Sequence, residues 1–160
     1  MSADADMGVL EAPDDFVQLT SSLALYTSLP TTRQVTLGLR AGGAHNLGTF
    51  PFWASNTLGG STNLRGYEST RFSGRSSAYL NSELRASLFS IGGEVLPGTL
   101  GAIGFLDTGR VWTDGESSST WHAGYGGGIW YDIVGELTLR FTVGKSSEGT
   151  SILFGSGFLF

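Results

Sequence analysis

The sequence predicts an all-β chain, an antiparallel transmembrane β-barrel with about seven to eight strands in its 160 residues. Three observations carry that expectation. Mean hydropathy is +0.06, high for a soluble protein, yet apolar residues alternate with polar ones instead of gathering. The most apolar stretch, Leu96 to Leu106, is broken by Pro97, Gly98, Gly101 and Gly104, so the roughly 20 apolar residues of a membrane-crossing helix are nowhere assembled. Glycine, the poorest ordinary helix former, fills 25 of the 160 positions, about twice the usual 7%, and sits inside apolar segments.

Seven segments carry the period-two alternation of half-buried strands. Phe16 to Leu29 places Val17, Leu19, Leu23, Leu25 and Leu29 opposite Gln18, Thr20, Ser22 and Ser28. A tight Pro30-Thr31-Thr32 connection leads to Gln34–Gly42, where Val35, Leu37, Leu39 and Ala41 oppose Gln34, Thr36 and Arg40. Ser77 to Leu88 sets Ala78, Leu80, Leu84 and Ala86 against Tyr79, Asn81, Glu83 and Arg85. Thr99 to Trp112 is less regular, because Ile103 and Phe105 share a face with Asp107. Trp121 to Ile133, Glu136 to Gly144 and Thr150 to Phe160 complete the series, and Asp6 to Ala12 offers a short eighth. Residues 1–15 form an N-terminal segment and 16–160 the barrel domain.

A soluble sandwich also alternates. Three features weigh against it. The strands run about 9 to 14 residues, longer than the usual 5 to 6 and enough to cross a bilayer when tilted. One face is rich in Gly, Ser, Thr, Gln and Arg, as a wet lumen tolerates. Tyr26, Trp112, Trp121, Trp130, Tyr131, Phe158 and Phe160 cluster near strand ends, where interfacial girdles form. Connections alternate too. Pro30–Arg33, Ile91–Gly98 and Val134–Gly135 are short, whereas Ala44–Ser76, Thr113–Thr120 and Lys145–Gly149 are longer or polar and are expected outside the cell. Loop 44–76 is the outlier, and its Phe50, Phe52, Trp53, Tyr67 and Phe72 predict an ordered, packed loop.

Charge and composition exclude other classes. A net charge of −5 argues against a nucleic-acid partner, which needs a basic face for phosphates. Without cysteine there is no disulfide framework or thiolate metal site, and no metal or cofactor is expected. The run Gly124 to Gly128 is not a phosphate loop, since no helix pattern or Lys-Ser/Thr follows. His45 and His122 stand at strand ends without triad spacing, so no catalytic role is assigned. Met1 to Asp15 lacks the basic and apolar regions of a signal peptide, and the expectation is an excerpt from a longer exported protein.

Loop 44–76 contains Leu58-Gly59-Gly60-Ser61-Thr62-Asn63-Leu64-Arg65-Gly66-Tyr67, then Arg71-Phe72-Ser73-Gly74. The next strand reads Ala78-Tyr79-Leu80-Asn81-Ser82-Glu83-Leu84-Arg85, and the one after it Gly104-Phe105-Leu106-Asp107-Thr108-Gly109-Arg110-Val111-Trp112. In this order and spacing they resemble the C-terminal barrel portion of the BamA/TamA family, in the outer-membrane insertase superfamily. That family carries a (V/I)-R-G-(F/Y) tetrad in its sixth extracellular loop, and an inward acidic residue and a G-F-x-D-x-G motif on the next two strands. Leu64, Arg65, Gly66 and Tyr67 match the tetrad with one conservative departure, and Glu83 and Asp107 match the acidic positions. The resemblance extends over nearly all of Val17 to Phe160.

The resemblance implies that the loop folds back into the lumen, where Arg65 meets Asp107 with Glu83 beside it. Alternation independently puts Glu83 on the polar face with Asn81 and Arg85; for Asp107 it does not decide. Gly66 would turn the loop tightly beside the wall, and Gly124, Gly126, Gly127 and Gly128 would thin that wall. Gly155, Phe158 and Phe160 resemble the C-terminal signal of outer-membrane barrels, although Leu153 stands where that signal prefers a polar residue.

A role in inserting or translocating proteins at the bacterial outer membrane is what the resemblance implies. The partners would be the bilayer with its lipopolysaccharide, client outer-membrane proteins, and a second copy of the chain. An open strand edge would template incoming strands, with Gly144, Gly149, Gly155 and Gly157 weakening the last strand. A passive pore or a truncated self-associating barrel is the alternative, and a barrel enzyme a more distant one. Strand count leaves three arrangements. An eight-stranded barrel is just wide enough for its own side chains, so the loop lies on top, two copies join, or the chain is half of a sixteen-stranded barrel.

Overall fold

The computed structural model describes residues 1–12, 16–30, 34–93, 96–115 and 119–160. Eight long segments pair in one antiparallel sheet: β1 (Ser2–Ala12), β2 (Phe16–Leu29), β3 (Val35–Gly48), β6 (Ser76–Ile91), β7 (Gly98–Trp112), β8 (His122–Ile133), β9 (Leu137–Lys145) and β10 (Thr150–Ser156). Two three-residue strands, β4 (Asn56–Leu58) and β5 (Phe72–Gly74), pair with each other inside the long loop. The order β1-β2-β3-β6-β7-β8-β9-β10 follows the chain, and β1 and β10 are the two edges. Among the described residues no helix is long and apolar enough to cross a membrane.

The two faces of the sheet are chemically opposite. Leu23, Leu39, Leu80, Leu84, Leu106, Ile129, Phe141 and Phe154 are exposed, and the register aligns them across neighbouring strands, as in Leu106 beside Tyr125 and Ile129 beside Phe141. A continuous apolar face of this kind is unlike the surface of a soluble monomer and matches the lipid-facing band of a membrane barrel. The other face carries the buried polar residues Asn81, Glu83, Asp107, Arg140 and Thr142. Between the two faces runs a wall one strand thick.

Several boundaries differ from the expectation. β1 covers eleven residues rather than Asp6–Ala12, because the β2 ladder templates it from Ser2↔Tyr26 to Ala12↔Phe16. β3 continues through Gly42 and Gly43 to Gly48, since β2 begins at Phe16 and its first residues pair with the end of β3. A Cβ on Gly43 would lie 2.8 Å from the Ser77 carbonyl, so glycine keeps that pairing tight rather than ending the strand. β10 stops at Ser156 rather than Phe160. Gly157 turns with φ 70° and donates to the Thr138 carbonyl at 2.8 Å, and the last three residues leave the ladder. Gly144, expected to weaken the last strand, lies in β9. Thr31 and Thr32 of the Pro30-Thr31-Thr32 turn lie outside the described residues.

Part of the aromatic assignment also needs correction. Trp112 and Trp121 are exposed and meet edge to face at 6.3 Å. Trp130 is buried, donates Nε1–H to the Ala102 carbonyl at 3.1 Å and meets Phe158 edge to face at 5.6 Å. Phe160 packs 5.9 Å from Tyr26. The Tyr26, Trp130, Phe158 and Phe160 rings gather over the polar face, where Gly38 and Gly101, lacking Cβ atoms, leave space for the Phe160 and Trp130 rings.

Candidate functional site

Loop 49–75 folds into a compact body before it meets the wall. Asn63 pins it: the side chain accepts from Gly59 N–H at 2.8 Å and donates to the Thr57 carbonyl at 3.1 Å. Gly60 N–H donates to the Tyr67 carbonyl at 3.1 Å. Leu58, Leu64 and Tyr67 form a buried apolar cluster that packs on Phe72, Tyr79 and Val111. Two buried asparagines fasten the loop's flanks, Asn46 donating to the Ala54 carbonyl at 2.7 Å and Asn56 to the Arg75 carbonyl at 2.6 Å. The loop is thus an ordered plug seated on the polar face.

At its centre Arg65 is completely buried. Its Nε donates to Asp107 Oδ2 at 2.7 Å and its NH2 to Asp107 Oδ1 at 2.8 Å, a two-point grip. Its backbone N–H also donates to Asp107, at 3.0 Å, and its NH1 donates to Glu83. A planar guanidinium suits this geometry because its donors form a rigid fork. Burial opposes the charge, but the hydrogen bonds and charges of Asp107 and Glu83 outweigh it and hold Arg65 above its ordinary pKa.

Glu83 uses its second oxygen to accept from Arg85 Nε at 2.7 Å. Asn81 donates to the Asn63 carbonyl at 2.8 Å and accepts from Arg40 at 2.9 Å; Arg40 also donates to the Thr62 carbonyl. The structure therefore gathers Arg65, Asn81, Glu83, Arg85 and Asp107 in one network. Leu64 and Tyr67 lie in the apolar cluster beside it. Gly66, with φ 98°, occupies backbone space that favours glycine.

Sequence reasoning missed three contributors. Phe105 is buried beneath Arg65, whose guanidinium lies 3.7 Å from the ring centre, so a cation–π contact floors the site. Arg40 and Asn63 fasten the loop to Asn81. Of the glycine run, Gly124 faces the loop: a side chain there would collide with the Arg65 carbonyl. Gly126 makes room for the Phe105 ring, while Gly127 and Gly128 meet the backbones of β7 and β9. Gly155 faces Arg140, and Phe158 and Phe160 lie under Arg85, which donates to the Phe160 carbonyl at 2.8 Å. His45 Nδ1 lies 2.6 Å from Ser76 Oγ, and His122 stacks on Phe72 at 3.7 Å.

An apolar-outside, polar-inside antiparallel sheet with a loop plugged on its inner wall defines a transmembrane β-barrel wall. The sequence matches the family described as haemolysin secretion/activation protein ShlB/FhaC/HecB over residues 2–131, and the chain belongs to that family. It is accordingly a Gram-negative outer-membrane protein of the superfamily that the motifs suggested, from a family of secretion barrels rather than enzymes. No curated protein matches the chain, and no solved structure does.

Proposed function

We propose that the chain forms the gated part of an outer-membrane pore through which a polypeptide client is secreted, with loop 49–75 as the gate. The observation that carries this reading is the fully buried Arg65 held by Asp107 and Glu83. A buried ion pair is weak evidence of added stability, but it suits a device that must hold one position firmly and release it as a unit. Belonging to a secretion family supports the direction of transport and the kind of client. In planar bilayers the full chain carrying Arg65→Ala or Asp107→Ala should conduct more, and for longer, than the parent. Unchanged conductance in both variants would sink the gate.

A second reading is a barrel-insertion role of the BamA/TamA kind. Leu64-Arg65-Gly66-Tyr67 and Gly104-Phe105-Leu106-Asp107-Thr108-Gly109 favour it, as do the two sheet edges, β1 and β10, which have no outer partner among the described residues and could template a client strand. Liposomes separate the readings: faster folding of a client barrel supports insertion, and conductance with no such acceleration supports secretion. Closure requires partners for β1 and β10, either further strands or a second copy. The mass of the detergent-solubilised particle distinguishes these. Lipid and lipopolysaccharide are the proposed partners of the outward apolar face.

A further inference from the structure

We infer that the turn joining β9 to β10 is a second anchor of the loop, so that the position of Arg65 is transmitted to the edge strand β10. This rests on reading the loop as a movable gate. Gly66 and Tyr67 follow Arg65 directly but fasten to a different part of the sheet. Ser146 Oγ donates to the Gly66 carbonyl at 2.7 Å and accepts from Glu148 N–H at 3.2 Å, so its single donor is committed to the loop. The turn itself is closed by Ser146 N–H on the Gly149 carbonyl at 2.9 Å. Tyr67 Oη lies 3.2 Å from Ser147 Oγ and 3.3 Å from the Ala123 carbonyl.

Backbone contact makes the seat close. A Cβ on Gly66 would lie 3.0 Å from the Lys145 carbonyl, and one on Gly144 2.9 Å from Gly66 N. At the rim, Arg71 Nε pairs with Glu148 at 2.7 Å, partly exposed and therefore weak. Two consecutive residues thus fasten to two separate parts of the sheet, Arg65 to β6 and β7 and Gly66 to the β9–β10 turn. Adjacent Cα atoms are held about 3.8 Å apart, so neither grip can be withdrawn without pulling the other. β10 is short, and its only described ladder is with β9, from Thr150↔Lys145 to Ser156↔Leu139. The turn sets the start of that ladder. Ser146 and Gly144 are therefore positioning residues for the gate.

Amide hydrogen exchange on the full chain in lipid tests this. Ser146→Ala should speed exchange about fivefold, one hydrogen bond's worth, both at Thr150–Leu153 and at Gly66–Glu68. Ser146→Thr, which keeps the hydroxyl, should restore protection at both. Arg65→Ala should speed exchange at Lys145–Ile152 while leaving the β2–β3 pair unchanged. If Arg65→Ala frees the loop but leaves β10 as protected as in the parent, the coupling is wrong while the gate stands. If it leaves the loop itself protected, gate and coupling fall together. Should Arg65→Ala not fold, identical exchange in Ser146→Ala and the parent overturns the inference alone.

Discussion

At the scale of the residue, Arg65 decides most. Taking a guanidinium and two carboxylates out of water is expensive, and removing one partner from such a pair typically costs about 3–5 kcal/mol because the others stay buried and unpaired. Arg65→Ala and Asp107→Ala should each lower the temperature at which the folded band converts on a semi-native gel, and the double variant should cost clearly less than the sum. Arg65→Lys should also destabilise, since an ammonium cannot make the two-point grip on Asp107 while reaching Glu83. Phe105→Leu keeps apolar volume but loses the ring face, and about 1–2 kcal/mol is expected from that loss. Arg65 and Glu83 were legible in the sequence, the first through its motif and the second through clean alternation. Phe105 was not. β7 is apolar on both faces, so alternation could not say which of its side chains lies beneath the loop.

At the scale of the element, strands with two unlike faces announced themselves, whereas those defined by a neighbour did not. β1 has little alternation of its own; the unpaired backbone of β2 makes Ser2–Ala12 a strand. The end of β10 was misread for the converse reason, since Phe158 and Phe160 continue the alternation while Gly157 turns them off the ladder. The β8–β9 hairpin shows how far pairing can override local preference. Val134 and Gly135 both have positive φ, 53° and 73°, the signature of a type I′ turn, and valine is poorly suited to that region. Val134→Asn should therefore raise the unfolding midpoint in urea, by about 1 kcal/mol of stability, without altering conductance.

At the scale of the whole molecule, the sheet divides two environments, and substitutions should report which one they face. Leu84 is exposed near the middle of β6. Leu84→Arg should cost about 2–4 kcal/mol if that face meets lipid at midplane depth, measured as the loss of folded protein in liposomes. Ser82→Ala, beside it, should be close to neutral. Should Leu84→Arg fold into bilayers as well as the parent, the outward face is not the lipid face.

The chain-following strand order also carries a timetable. Each sheet pairing joins the nearest long strands along the chain, so the wall can zip hairpin by hairpin. The loop cannot be finished so early. Arg65 waits for Glu83, 18 residues on, and for Asp107, 42 residues on, and its carbonyl then needs the bare backbone of Gly124. As the wall assembles, Arg65 is therefore without its full set of partners until β8 is in place. Any helper that keeps the unfolded chain from collapsing has that interval in which to act.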